Sequence, residues 1–114
     1  MTKTLVFTEF GGPETQAFID RELPAPTGAQ LAIEVKAAGV NPADWKIRAG
    51  QMGDHWHLPA PMGREAAGIV TAVGDQVEDF AIGDEVLGLA AKGNGTFAEH
   101  TLLNAKHTVA KPEE

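Results

Sequence analysis

Apolar and polar residues alternate with a period of two in seven short runs of this 114-residue chain, the pattern of strands with one buried face. The runs are Lys3 to Phe10, Ala17 to Leu23, Leu31 to Ala38, Ala67 to Val73, Glu85 to Ala90, Thr96 to Leu103 and Thr108 to Ala110. Gly11, Gly12 and Pro13 mark a first turn, and Pro24, Pro26 and Gly28 a second. Gly74 with Asp75 and Gly83 with Asp84 punctuate the later strands. Helical spacing is confined to Pro42 to Ala49, where Pro42 suits a first helical position. So many strands in so short a chain predict a mainly β fold, a barrel or sandwich, and closing the sheet removes exposed strand edges.

The length is that of one domain. A hydrophobic fraction of 43% with 22% charged residues is that of a globular fold. The net charge of −7 repels a phosphate backbone, so nucleic acid is not an expected partner. No apolar run approaches the roughly 20 residues that cross a bilayer, and MTKTLVF lacks the features of a signal peptide, so no membrane partner and a cytoplasmic location are expected. There is no Cys, Ser or Tyr, which removes disulfides, thiolate metal ligands, a Ser-His-Asp triad and a tyrosine acid.

Three motifs carry the chemistry: AGVNPADWKIRAG at Ala38 to Gly50, PMGREAAGIVTAVG at Pro61 to Gly74, and GDEVLG at Gly83 to Gly88. Their order and spacing resemble the N-terminal, GroES-like catalytic domain of the medium-chain dehydrogenase/reductase superfamily, in its zinc-free, NADPH-dependent quinone oxidoreductase branch. The resemblance runs from Thr4 to Pro112. It implies a GroES-like, partly open β-barrel with one short helix, spanning residues 1 to 114.

Zinc-dependent relatives place a Cys where this chain has Asn41 and a His where it has Arg64, followed by a Glu that here is Glu65. An amide oxygen is a poor zinc ligand and a guanidinium has no lone pair to give, so no zinc is expected. In the branch that the chain resembles, the Asn after Gly-Val points into the cleft beside the nicotinamide, and the nearby Asp fixes the same loop or the nicotinamide ribose. Asn41 and Asp44 match those positions and are the expected catalytic and cofactor-binding residues. Their residue types equally suit an Asx turn before Pro42 and a helix cap, and the two roles can coexist.

Lys46 stands where a cofactor phosphate or an anionic substrate could be met. Arg48 is expected to be merely solvated, and Trp45 to pack into the barrel. The irregular stretch Gln51 to Pro61 forms a wall of the substrate cleft in relatives. Trp56 and Met62 are the expected apolar lining for a ring-shaped or alkenal substrate, with lid packing as the plainer alternative. Glu65 is a further cleft residue, open to an ion pair with Arg64 or Lys46. Asp54, His55 and His57 are read as solvated rather than as a metal site, and His100 and His107 as structural.

Gly93 to Ala98, GNGTFA, matches the dinucleotide fingerprint in letters. That fingerprint needs a helix at its second glycine, whereas Thr96 and Phe97 announce a strand, so a tight turn is the better account. A Rossmann domain is therefore not expected within these residues, and the chain reads as the catalytic segment of a longer NADPH-dependent quinone or 2-alkenal oxidoreductase, inactive alone and weak in NADPH binding by itself. The implied partners are a quinone or enone substrate, the Rossmann domain, and a second subunit in a homodimeric complete enzyme. The alternative is a free-standing barrel acting as a binding or co-chaperonin-like module.

Overall fold

The computed structural model describes residues 1–53 and 56–111. Its strands are β1 (Thr2–Phe7), β2 (Gln16–Arg21), β3 (Gln30–Ala38), β4 (Ala60–Pro61), β5 (Glu65–Val73), β6 (Glu85–Ala90) and β7 (His100–Ala110). A 3-10 turn, Pro13–Thr15, precedes β2, and one α-helix, α1 (Pro42–Arg48), follows β3. The fold is mainly β, as the alternation predicts. The last two runs of the sequence form the single strand β7, and Thr96 and Phe97 lie in the bend before it rather than in a strand.

β3, β5, β6 and β7 close into a barrel, every pair antiparallel. The seam between β6 and β7 is irregular: Gly88 pairs with Thr108, yet Ala90 pairs with Leu103. A bulge of this kind bends the strand and lets a small barrel close. The other three strands form a separate sheet in the order β2-β1-β4, which strand periodicity could not reveal.

Alternation places Leu31 and Ile33 of β3, Ala66 and Val70 of β5, Val86 of β6 and Leu103 of β7 inside the barrel as one core. A second cluster, Phe7, Ile47, Ala60 and Met62, lies where α1 meets the three-stranded sheet, with Phe10 and Phe97 packed on it. Burying a side chain such as Phe7 or Met62 contributes roughly 1.5–3 kcal/mol. This second core fixes the helix relative to the sheets, and the functional geometry depends on it.

Three backbone hydrogen bonds join β1, the residue after β4 and the bend before β7 beside that cluster. Met62 N–H donates to Leu5 C=O at 3.0 Å, Leu5 N–H to Phe97 C=O at 2.8 Å, and Phe97 N–H to Met62 C=O at 3.0 Å. Gly63 makes this approach possible. Its φ of +95° is open to glycine, and a Cβ there would lie 2.8 Å from Phe97 N and closer still to the Thr96 hydroxyl.

Candidate functional site

The corner after β3 is organised by its own hydrogen bonds. Asn41 has extended backbone angles and is the N-cap of α1, with Pro42 at the first helical position. Asp44, in the first turn, accepts the Asn41 N–H through Oδ2 at 2.8 Å, and its own N–H donates to Asn41 C=O at 3.0 Å. The Asn41 side chain reaches across to β5, where Nδ2 donates to Glu65 Oε1 at 3.4 Å. Glu65 thus meets an amide rather than Arg64 or Lys46. Gly39 leaves room for that carboxylate, because a Cβ there would overlap Glu65.

A cavity of about 390 Å³ opens beside α1. Its apolar wall is Phe7, Ile47, Trp56 and Met62, so the two aromatic and thioether residues expected from sequence do line it. Further lining comes from Gly63 and Arg64, which follow β4, and from residues Leu89 to Asn94 at the end of β6 and beyond it. His107 of β7 completes the lining. Asn41, Lys46 and Glu65 do not line this cavity; they flank it through α1 and β5.

Two polar atoms of the lining residues are buried without a hydrogen-bond partner among the described residues, Asp44 Oδ1 and Asn94 Oδ1. Asp44 is only 7% exposed. Asn94 Nδ2 donates to Lys92 C=O at 3.2 Å, which leaves its oxygen as the unused group. A buried acceptor without a donor costs free energy comparable to a lost hydrogen bond. In donor chemistry, the hydroxyl and amide groups of a nicotinamide riboside match such acceptors.

Several expectations are corrected at this corner. Trp45 does not pack into the barrel: it is 45% exposed, and the Lys46 ammonium lies 5.8 Å from its ring centroid, within cation–π range. Its position on α1 faces away from the second core, which takes Ala43 and Ile47 instead. Arg48 is not merely solvated. Its Nε donates to Gly11 C=O at 3.2 Å, its guanidinium also donates to the Gln16 side chain, and Gly11 N–H returns a bond to Arg48 C=O at 2.8 Å. The residue ties the helix end to the turn between β1 and β2. His107, read from sequence as structural, is exposed on the cavity wall.

The metal question is one of donors. Among the described residues no three His, Cys, Asp or Glu side chains stand close enough to hold an ion. Asp54 and His55 lie outside the described residues. At the corner itself the candidate donors are Asn41, Arg64 and Glu65, and a guanidinium cannot ligate, so the set does not fit zinc. The GNGTFA segment turns, with Asn94 N–H donating to Ala91 C=O at 3.0 Å, and among the described residues no helix follows Gly93, so the segment offers no helix N-terminus to a pyrophosphate.

Residues 27–113 match the alcohol dehydrogenase GroES-like domain. The chain belongs to that family. Among curated relatives, the quinone oxidoreductase of Lama guanicoe is 38% identical over 97% of this chain and 33% of its own length, and that of Homo sapiens is 40% identical over 93% and 32%. This chain therefore spans about a third of the length of the relatives it matches. Among solved structures, the quinone oxidoreductase of Pseudomonas syringae superposes with a TM-score of 0.91 at 33% identity, covering 100% of this chain and 34% of that one. The Escherichia coli quinone oxidoreductase complexed with NADPH superposes with a TM-score of 0.86 at 29% identity, covering 98% and 33%. The family's GroES-like fold, expected from the three motifs, is the one observed. Among the described residues no helix is long and apolar enough to cross a membrane.

Proposed function

We propose that this chain forms the substrate-side catalytic domain of a zinc-independent, NADPH-dependent reductase of quinones or 2-alkenals, cytoplasmic and homodimeric in its complete form. The observation that carries this reading is the cavity itself: an aromatic and thioether lining together with two lining residues that hold buried, unsatisfied acceptors, Asp44 Oδ1 and Asn94 Oδ1. Ring-shaped, electron-poor substrates fit the former, and the hydroxyl and amide groups of a nicotinamide riboside fit the latter. NADPH, held by a nucleotide-binding domain beyond these residues, would supply the hydride.

Each residue of the corner then has a task. Asp44 accepts a hydrogen bond from the cofactor's riboside part while its other oxygen holds the helix start. Asn41, oriented by Glu65, borders the cofactor, and Lys46 offers a cation to it. Trp56 and Met62 sandwich the acceptor ring and keep water from it, and no residue of the domain need serve as acid, because solvent can complete the reduction. A co-chaperonin-like role has no comparable observation in its favour.

The test is NADPH-dependent reduction of naphthoquinone by the complete enzyme. Turnover should survive chelation, and Asn41→Ala should lower it by roughly ten- to a hundredfold, the equivalent of one or two hydrogen bonds in a closed cleft. Turnover that depends on added zinc, or that Asn41→Ala leaves untouched, would overturn the reading.

A further inference from the structure

The rim of the cavity carries an unused charge. Arg64, between β4 and β5, and Lys92, in the connection from β6 to β7, both line it, and both are exposed. Neither makes a side-chain hydrogen bond or an ion pair among the described residues; the ion pairs found join Lys36 to Glu34 and Lys111 to Glu85. The two are held near one another by the backbone, since Ala90 N–H donates to Arg64 C=O at 2.7 Å and Lys92 follows two residues later. His107 belongs to the same lining. One carboxylate, Asp44, belongs to the described lining, and it is buried on the helix wall rather than exposed at the rim.

In a chain of net charge −7 this is a local reversal of sign. Cations gathered from separate segments at the mouth of a cavity raise the local concentration of anions and favour a ligand that carries one. Arg64 adds a planar fork suited to an oxyanion with two acceptor oxygens, and Lys92 a flexible point charge.

We propose that the preferred substrate is a ring-shaped quinone or enone bearing an acidic substituent, a carboxylate or sulfonate, whose ring lies against Trp56 and Met62 and whose anionic group is held at the rim by Arg64 and Lys92. This rests on the cavity being the substrate cleft. The shared chemistry of an oxyanion also belongs to the phosphates of the cofactor, so the test separates the two sources.

The test is a titration of the chain with anthraquinone sulfonate and with its uncharged sulfonamide, followed by the indole N–H signals of Trp45 and Trp56 in NMR spectra. The sulfonate should bind more tightly by roughly five- to tenfold at low ionic strength, as two exposed ion pairs would give, and the preference should fade at about 0.5 M salt. It should vanish in the Arg64→Gln, Lys92→Gln double variant, whose exposed positions leave the fold intact. Equal binding of both ligands, or a preference that the double variant retains, would overturn the proposal while leaving the cleft assignment in place. If neither ligand moves the Trp56 signal, the cleft assignment falls, and this proposal with it. A third arm uses NADPH: affinity for it that drops in the double variant, without any sulfonate preference in the parent chain, would assign the rim to cofactor phosphate and overturn the proposal.

Discussion

Asn41 N–H donates to Asp44 Oδ2 at 2.8 Å, while the other oxygen of the same carboxylate, Oδ1, is buried beside the cavity with no partner among the described residues. The two oxygens of one side chain thus stand in different surroundings, and their contributions are separable by mutation. Asp44→Ala removes the bond to the N-cap and should cost about 1 kcal/mol, lowering the melting temperature by about 4 °C. Asp44→Asn keeps an acceptor for the N-cap and should cost less than half of that in thermal denaturation, yet reduce cofactor-dependent turnover in the complete enzyme. Equal destabilisation by the two variants would mean that the negative charge itself, rather than the hydrogen bond, holds the helix start.

Arg48 should matter more than a surface cation does. Its bonds to Gly11 C=O and to Gln16 join the end of α1 to the sheet turn. Arg48→Met keeps the aliphatic stem and removes those donors, so urea denaturation should show a loss of roughly 1–2 kcal/mol. Arg48→Lys should recover little of it, because an ammonium cannot reproduce the forked geometry. A change within experimental error for both would return Arg48 to the solvated role that its residue type suggests.

Two glycines with similar backbone angles should respond very differently to alanine. Gly63 has φ +95° and no space for a Cβ, whereas Gly93 has φ +82° and nothing within 4 Å of where a Cβ would sit. Gly93→Ala should cost about 1 kcal/mol, the strain of a left-handed residue, and Gly63→Ala about 3 kcal/mol or more, from strain together with overlap against Phe97 and Thr96. Folded fractions by circular dichroism at increasing denaturant would rank them. The opposite ranking would contradict the close pairing of Met62 with Phe97.

Metal content offers an independent check. The donors at the corner do not fit zinc, so after dialysis the protein should retain only substoichiometric zinc by elemental analysis. One equivalent that survives dialysis and is lost on Glu65→Gln would place a metal at this corner.

Trp56 and Trp45 can be told apart in solution. A naphthoquinone seated in the cavity would meet Trp56, whereas Trp45 is exposed on α1 and is not among the lining residues. Quenching of tryptophan fluorescence by naphthoquinone should therefore disappear in Trp56→Leu and persist in Trp45→Leu. The reverse pattern would move the ligand to the helix surface.

The approximate places of β1, β2, β3, β5 and β6 and the helix start at Pro42 were legible in the sequence, whereas β4 was not, and the last two runs proved to be one strand. Each legible element depends on periodicity or local hydrogen bonding over a few residues, and the side-chain period of a strand leaves little freedom once one face is buried. Trp56 and Met62 both line the cavity, but no pattern in the chain sets the irregular loop that carries Trp56 against Met62.

What tertiary structure decided lies where segments distant in sequence meet. Closure of the barrel brings Gln30 opposite Asn104, a pairing that no local pattern encodes. The Gly63 approach sets Arg64 against Ala90 and so brings Lys92 and Asn94 to a cavity that α1 also lines. Neither the orphaned acceptor of Asn94 nor the cationic rim has a signature in the chain, because both arise from which groups packing leaves unpaired. Trp45 and Arg48 show the same limit from the other side: residue type favours burial of the indole and solvation of the guanidinium, and the rotation of one short helix on Phe7 and Met62 reverses both.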